Sequence, residues 1–472
     1  MPQCSKGLSP GAGLLTASIL IGIVLRISFL THQSLWFDEV ASIRMAQSGD
    51  LFRSDFHPPL YFSLLHGWIA VLGSSEFVVR LLSALIGIVS LIVIGVAAKE
   101  LQSGRAAVIA VLLASLSFSH LWYSQEVRSY ILLFLESAAL LEIYRRWIFH
   151  PQSRGLTVAL ICINSALLYT HYGAALLLFA QGCHSTWLAF LRRYQQSHSK
   201  SYIVQYSLVV AGTILLSLPL LPLIITQSHH VANGRLWLPP PALVDLYLLF
   251  PRLLFHTPGV LGRIPILAIN GFLAIALVSP VLLRKGLDHL HFYILIPPAL
   301  ALLLSVFGVQ MFAPKVLISI LPAVILACSG ILSRIPVTAA LSICLAYTTA
   351  QGLLVYRYYT TPQKEGWRSI ATFLSAHAQP IDTFYFTAPG TRLALEYYYP
   401  ITDDKIQNSL DKPAHNHGTV WIIYALTPEP WNNVMAQASS RGCAGTVQTR
   451  AAGVRIAGCK FGGSVVAGNG SL

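Results

Sequence analysis

Charge is what this sequence has least of. Lys, Arg, Asp and Glu make up 10% of 472 residues, and Asp and Glu together number only 18. A soluble globular chain carries roughly 25% charge. A chain this poor in ions cannot clothe a water-facing surface, so a soluble enzyme is excluded. Cysteine is scarce as well: seven residues without a close C-x-x-C pair argue against a zinc module or a disulfide scaffold. The net charge of +13 comes without a contiguous basic tract, so it does not indicate nucleic acid. Hydrophobic residues, by contrast, are 55% of the chain.

Apolar runs of the length a helix needs to cross a bilayer, about 16 to 23 residues, recur through most of the sequence. They lie at 11–30, 78–98, 106–121, 129–144, 156–170, 173–191, 203–225, 264–283, 291–309, 316–333 and 337–356, eleven in all. The first has the alternative of a signal peptide; Arg26 and the lack of a small-residue cleavage site favour a span. Basic residues set the sidedness. With the N-terminus inside, Lys99, Arg105, Arg145, Arg146, Arg154, Arg192, Arg193, Lys200, Arg284, Lys285 and Arg334 all fall in inner connectors. Residues 357–472 then lie outside. The expected fold is an all-α polytopic membrane protein of about eleven transmembrane helices (1–356), followed by a small extracytoplasmic α/β domain (357–472).

The few acids sort by the same map. Of eleven before residue 357, five fall between 31 and 77: Asp38, Glu39, Asp50, Asp55 and Glu76. The outer face therefore carries the polar chemistry. In the C-terminal part, Thr383–Thr387 and Thr419–Ala425 are β-prone and Trp367–His377 is amphipathic. The last thirty residues, rich in Gly, Ala and Ser, are expected to be poorly ordered. Cys443 and Cys459 have two readings, a disulfide or two free thiols.

Five constellations combine groups suited to chemistry. Ser34-Leu35-Trp36-Phe37-Asp38-Glu39 places two carboxylates beside aromatics. Neighbouring helical side chains diverge by about 100°, so one acid can accept a proton from a nucleophile while the other orients it. The alternative is two acids favouring a helix N-terminus. Asp55-Phe56-His57-Pro58-Pro59 holds an imidazole in an extended backbone, to bind phosphate, ligate a metal or cap a turn. Glu126, Arg128 and Tyr130 crowd one short connector; a guanidinium there suits phosphate oxygens or an ion pair with an acid. His171 and Tyr172 occupy a tight turn, as ligands or as part of an aromatic belt. Lys315 precedes the tenth run and either meets an anionic head group or snorkels. All five fall on one membrane face, where ionisable residues are functional by default. No ligand spacing demands a divalent metal, although His57, His171 and nearby acids leave one open.

These elements, in this order, resemble the bacterial membrane glycosyltransferases of the GT-C fold. The sequence is similar to protein O-mannosyltransferases and lipid A aminoarabinose transferases, glycosyltransferase family 39 in the broad sense. The likeness runs from about residue 14 to 390 and includes Ser75-Glu76-Phe77-Val78-Val79-Arg80. It implies a polyprenyl-phosphate-sugar donor, an extracytoplasmic acceptor and a multi-pass protein of the inner membrane with its active site outside. Asp38 would be the base, with Glu39 supporting it. In the aminoarabinose branch the basic residue before Pro-Pro is a Lys that contacts the donor phosphate. Here it is His57, which would make that contact pH-sensitive. Arg128 and Tyr130 match an Arg-x-Tyr element, and Lys315 keeps the cation but not the aromatic of the Arg-Tyr found in many relatives. With Asp55, Glu126, His171 and Tyr172, these make up the expected donor and substrate site. The rival readings are a lipid-linked-sugar flippase or transporter, a polysaccharide ligase or polymerase, and a non-catalytic scaffold.

Overall fold

The computed structural model describes residues 10–49, 57–194, 199–230, 240–257, 262–282, 288–410 and 418–461. They divide into two compact units, Met1–Ser28 with Met45–Tyr356, and Phe29–Arg44 with Arg357–Leu472. The second unit thus takes in a segment from far upstream, including Asp38 and Glu39.

The helices run in chain order α1 Pro10–Ile27, α2 Phe37–Ser48, α3 Leu60–Leu72, α4 Glu76–Leu101, α5 Gly104–Leu116, α6 Phe118–Ser124 and α7 Tyr130–Phe149. They continue as α8 Arg154–Thr170, α9 Ala175–Tyr194, α10 Ser199–Ser217, α11 Leu221–His230, α12 Leu243–Phe255 and α13 Arg263–Leu282. The last of the first unit are α14 His289–Val306, α15 Leu321–Leu332 and α16 Val337–Thr360. Among the described residues, five stretches are long and apolar enough to cross a membrane: Glu76–Leu101, Tyr172–Leu191, Lys200–Ser228, His289–Val306 and Val337–Thr360. Shorter apolar helices accompany them, including Leu60–Leu72 within the first connector, where no helix was expected. The run at 129–144 falls in α7, a helix that lies against α4 and α8. It buries Glu136, whose carboxylate accepts a hydrogen bond from Thr170 Oγ1 at 2.9 Å.

The expected span at 106–121 is broken. α5 ends at Leu116 and α6 leaves at an angle of 61°. Ser117 makes the break, its extended ψ of 117° stopping one helix while its hydroxyl accepts the His120 N–H to start the next. A break inside apolar surroundings strands the last carbonyls of α5, and each needs a donor. Arg26 supplies them. Fully buried on α1, its guanidinium donates to Ser115 O (3.1 Å), Ala114 O (3.0 Å) and Gly22 O (2.9 Å), and to His120 Nδ1 (2.8 Å). A cation at a helix C-terminus also meets the negative end of its dipole. Gly87 on α4 lets the bend approach, since a Cβ there would collide with Ser124.

In the second unit a five-stranded sheet has the order β2-β1-β3-β5-β4. Its strands are β1 Thr383–Phe386, β2 Ile406–Gln407, β3 Thr419–Tyr424, β4 Cys443–Ala451 and β5 Val454–Phe461. β1 pairs in parallel with β2 and β3, and β5 is antiparallel to β3 and β4. On one face α17 (Trp367–His377) and α18 (Arg392–Glu396) bury Trp367, Ile370, Leu374 and Leu395 against Phe384, Phe386, Trp421 and Ile456. On the other, α19 (Trp431–Ser440) sets Val434 and Ala438 against Val420 and Ile422. The chain from 443 to 461 corrects the expectation of a poorly ordered end. Val454, Ile456, Ala457 and Cys459 are buried, and Gly453, at φ 74°, makes the hairpin turn. Cys443 and Cys459 form a disulfide across β4 and β5, with Cα atoms 5.3 Å apart.

Candidate active site

The expected site residues that are described fall into two groups, one in each unit. In the first unit the connector after α6 brings Arg128 to His57. Gln125 fixes that connector: its side-chain amide donates to the backbone oxygens of Leu25 (3.0 Å), Arg26 (3.1 Å) and Ser28 (3.0 Å), capping α1. The Arg128 N–H then turns back to Glu126 O at 2.8 Å. Arg128 is buried, and its guanidinium meets His57 Nε2 at 2.8 Å. Arginine has no acceptor atom, so Nε2 accepts and the His57 proton sits on Nδ1. The guanidinium also stands 5.8 Å from the centre of the Tyr130 ring, within cation–π range. Tyr130 in turn contacts Tyr123 and His171, ring centres 4.9 and 6.0 Å away.

His171 ends α8 and caps the short turn Tyr172–Ala174, its Nδ1 accepting the Gly173 N–H at 2.9 Å. Its proton is therefore on Nε2. A Cβ on Gly173 would come within 2.7 Å of Val316, the neighbour of Lys315, so glycine permits that approach. Burial and the positive field of Arg128 and Lys315 hold the His171 imidazole down at about 4. Burial, Arg128, His171 and Lys315 hold His57 well below its ordinary value. Two basic side chains and two imidazoles held low thus form one electropositive cluster, suited to an anion. The buried Tyr172 hydroxyl has no partner among the described residues. Glu126 is buried in the same connector.

For His57 the geometry departs from the expected pH-sensitive phosphate contact. Its Nε2 serves Arg128, and its titration lies well below neutrality. Asp55 lies outside the described residues. Among those described, no three His, Cys, Asp or Glu side chains stand close enough to hold a metal ion.

In the second unit α2 begins at Phe37 with three carboxylates at its first turn. Glu39 is fully buried and bonds Lys364 Nζ at 3.1 Å; both side chains are almost without exposure. Its carboxylate also lies 3.4 Å from the Trp36 N–H, the reach-back half of a capping box. Glu365 accepts the Phe37 N–H at 3.3 Å and the Trp367 indole N–H at 2.5 Å. Burial raises its carboxyl above the usual range, and the charge of Asp38 adds to that. The start of the helix is thus capped by Glu39 and Glu365. Asp38, half-buried and directly before Glu39 in sequence, has no hydrogen bond or ion pair to its carboxylate among the described residues.

The surrounding segment is tied down throughout. The Gln33 amide donates to Tyr358 O (2.7 Å) and accepts from the Gln363 N–H (2.9 Å). The Leu35 N–H donates to the Tyr398 hydroxyl (2.7 Å), and Arg368 reaches Thr31 O (2.9 Å). None of Lys364, Glu365, Arg368 and Tyr398 was singled out from the sequence. The available signal was Lys364-Glu365 itself, a charge pair a few residues beyond the last apolar run of a chain with few acids.

Residues 56–221 match the family model described as dolichyl-phosphate-mannose-protein mannosyltransferase. No curated protein matches the chain in sequence. Among solved structures, ArnT from Cupriavidus metallidurans in the apo state is similar at TM-score 0.62 and 14% identity, over 95% of this chain and 98% of that one. The same protein bound to undecaprenyl phosphate gives 0.57 and 15%, over 94% and 98%. The Archaeoglobus fulgidus oligosaccharyltransferase in the apo form gives 0.54 and 11%, over 88% and 69%. The chain has the GT-C fold of the membrane glycosyltransferases, and its segment 56–221 carries the sequence pattern of the mannosyltransferase model.

Proposed function

We propose that this protein is an integral membrane glycosyltransferase that moves a sugar from a polyprenyl-phosphate-linked donor to an extracytoplasmic acceptor. The observation that carries the reading is the division of labour among the acids of α2. Glu39 and Glu365 cap the helix, while the Asp38 carboxylate is uncommitted among the described residues. A lone carboxylate of this kind is available to take a proton. The structure of ArnT with undecaprenyl phosphate supports the choice of donor class, and the electropositive cluster of Arg128 and Lys315 suits its phosphate.

The reaction then runs as a single displacement. Asp38 removes the proton from the acceptor hydroxyl or amine, whose lone pair attacks the anomeric carbon with inversion. The bond to the phosphate oxygen breaks, and polyprenyl phosphate leaves with the electron pair. Arg128 and Lys315 stabilise the growing charge. His57 acts at one remove, as the acceptor that orients the Arg128 guanidinium. The placement of this chemistry outside, with the N-terminus in the cytoplasm of an inner-membrane protein, rests on the Lys/Arg distribution.

The test is transfer of radiolabelled sugar from a polyprenyl-phosphate-linked donor in purified membranes. Asp38→Asn is expected to abolish it and leave membrane insertion intact. Movement of the lipid donor across the bilayer without any transfer would support a flippase instead.

A further inference from the structure

We propose that Lys364 and Glu365, at the start of the C-terminal domain, are positioning residues for Asp38, so that this domain is part of the catalytic machinery. The inference rests on the reading of Asp38 as the base and extends it to residues outside the motifs that suggested it.

A helix N-terminus attracts any nearby carboxylate, because its first N–H groups lack partners and its dipole is positive. Asp38, in the first turn of α2, would ordinarily be drawn into that role, and a carboxylate engaged by backbone donors is a poorer base. Glu365 removes the competition by taking the Phe37 N–H itself, while Glu39 reaches back towards Trp36. The arrangement gathers three acids at one turn, and repulsion among them would splay it. Lys364 supplies the compensating cation, bonded to Glu39 at 3.1 Å. The pair is buried on both sides. A buried ion pair contributes little net stability compared with apolar packing, and in some proteins it serves to fix a register. Here that register is between α2 and the chain around 364–368, where the Trp367 indole anchors Glu365 and Arg368 ties down Thr31.

The experiment uses the full chain in membranes, with kcat and KM for the lipid-linked donor and the thermal stability of each variant measured in one preparation. Lys364→Met is expected to lower kcat by roughly 100-fold, while KM for the donor stays within about threefold. Glu365→Ala removes the acceptor for Phe37 and is expected to cost roughly 10- to 100-fold in kcat. Glu365→Gln keeps an acceptor oxygen and should recover most of that loss; this rescue is what a merely structural role would not produce. The proposal is overturned if Lys364→Met and Glu365→Ala turn over at the wild-type rate. It is equally overturned if Glu365→Gln and Glu365→Ala lose activity alike, or if each loss only tracks the amount of folded protein. Asp38→Asn in the same preparation separates the two levels. Activity in that variant removes the base assignment itself, whereas an inactive Asp38→Asn beside unaffected Lys364 and Glu365 variants removes only the positioning role.

Discussion

On the proposed reading, Asp38 and Glu39, adjacent and chemically similar, take opposite roles. The adjacency was visible in the sequence and the division was implied by the family resemblance, but the partners Lys364 and Glu365, more than 300 residues away, were not. The same holds for His57. Its rigid setting before two prolines was legible, whereas its partner, Arg128, was separated by 71 positions. The geometry predicts a graded response at this pair. Arg128→Ala should weaken binding of undecaprenyl phosphate by roughly 10- to 100-fold, the value of a charged hydrogen bond. His57→Asn, which keeps an acceptor, should be milder than His57→Leu; equal effects would contradict the orienting role. The two imidazoles also set an acid limit. An unfolded chain protonates histidine below its ordinary value near 6.5, while folded His171 resists protonation down to about 4 and folded His57 is also held low. The unfolded state therefore binds more protons across that range, and stability falls as pH falls from 6.5 towards 4. Thermal unfolding of the purified protein across that range measures it, and His171→Asn should flatten the slope.

At the scale of elements, hydropathy located the apolar runs but not the break at Ser117. A bend inside one run leaves the run's composition unchanged. What marks it is Arg26, which in the sequence argued only for a span over a signal peptide and whose burial is explained by the carbonyls of Ala114 and Ser115 that it caps. Arg26→Leu should leave those oxygens without donors and cost at least about 3 kcal/mol, read as a lower melting temperature in detergent. Because α6 leads into the connector of Arg128, the same change should also weaken binding of undecaprenyl phosphate. The β elements were more legible: the strands at 383–386 and 419–424 and the helix Trp367–His377 follow directly from their patterning. The hairpin at 443–461 was hidden by its Gly and Ala content, since burial came from the sheet and from the disulfide rather than from bulky side chains. Changing Cys443 and Cys459 to Ser together should cost about 3 kcal/mol by the loop-closure argument, measured as the shift in melting temperature between that variant and the parent chain.

For the whole molecule, the linear order of the sequence is a poor guide to its units. The segment Phe29–Arg44 belongs by its contacts with Arg357–Leu472, so the C-terminal domain is not a separable appendage. A chain ended before Arg357 should still enter the membrane, yet lack transfer, because Gln33, Leu35 and Glu39 lose Gln363, Tyr398 and Lys364. On the proposed reading the scarcity of acids takes on a mechanistic meaning at this scale: of three carboxylates gathered at one helix start, two hold the turn and Asp38 is the base. The most direct test of that claim compares the parent chain with Asp38→Asn, measuring binding of undecaprenyl phosphate and sugar transfer from the lipid-linked donor side by side. Retained binding with transfer abolished is the predicted result, and transfer at the parental rate in Asp38→Asn would contradict it.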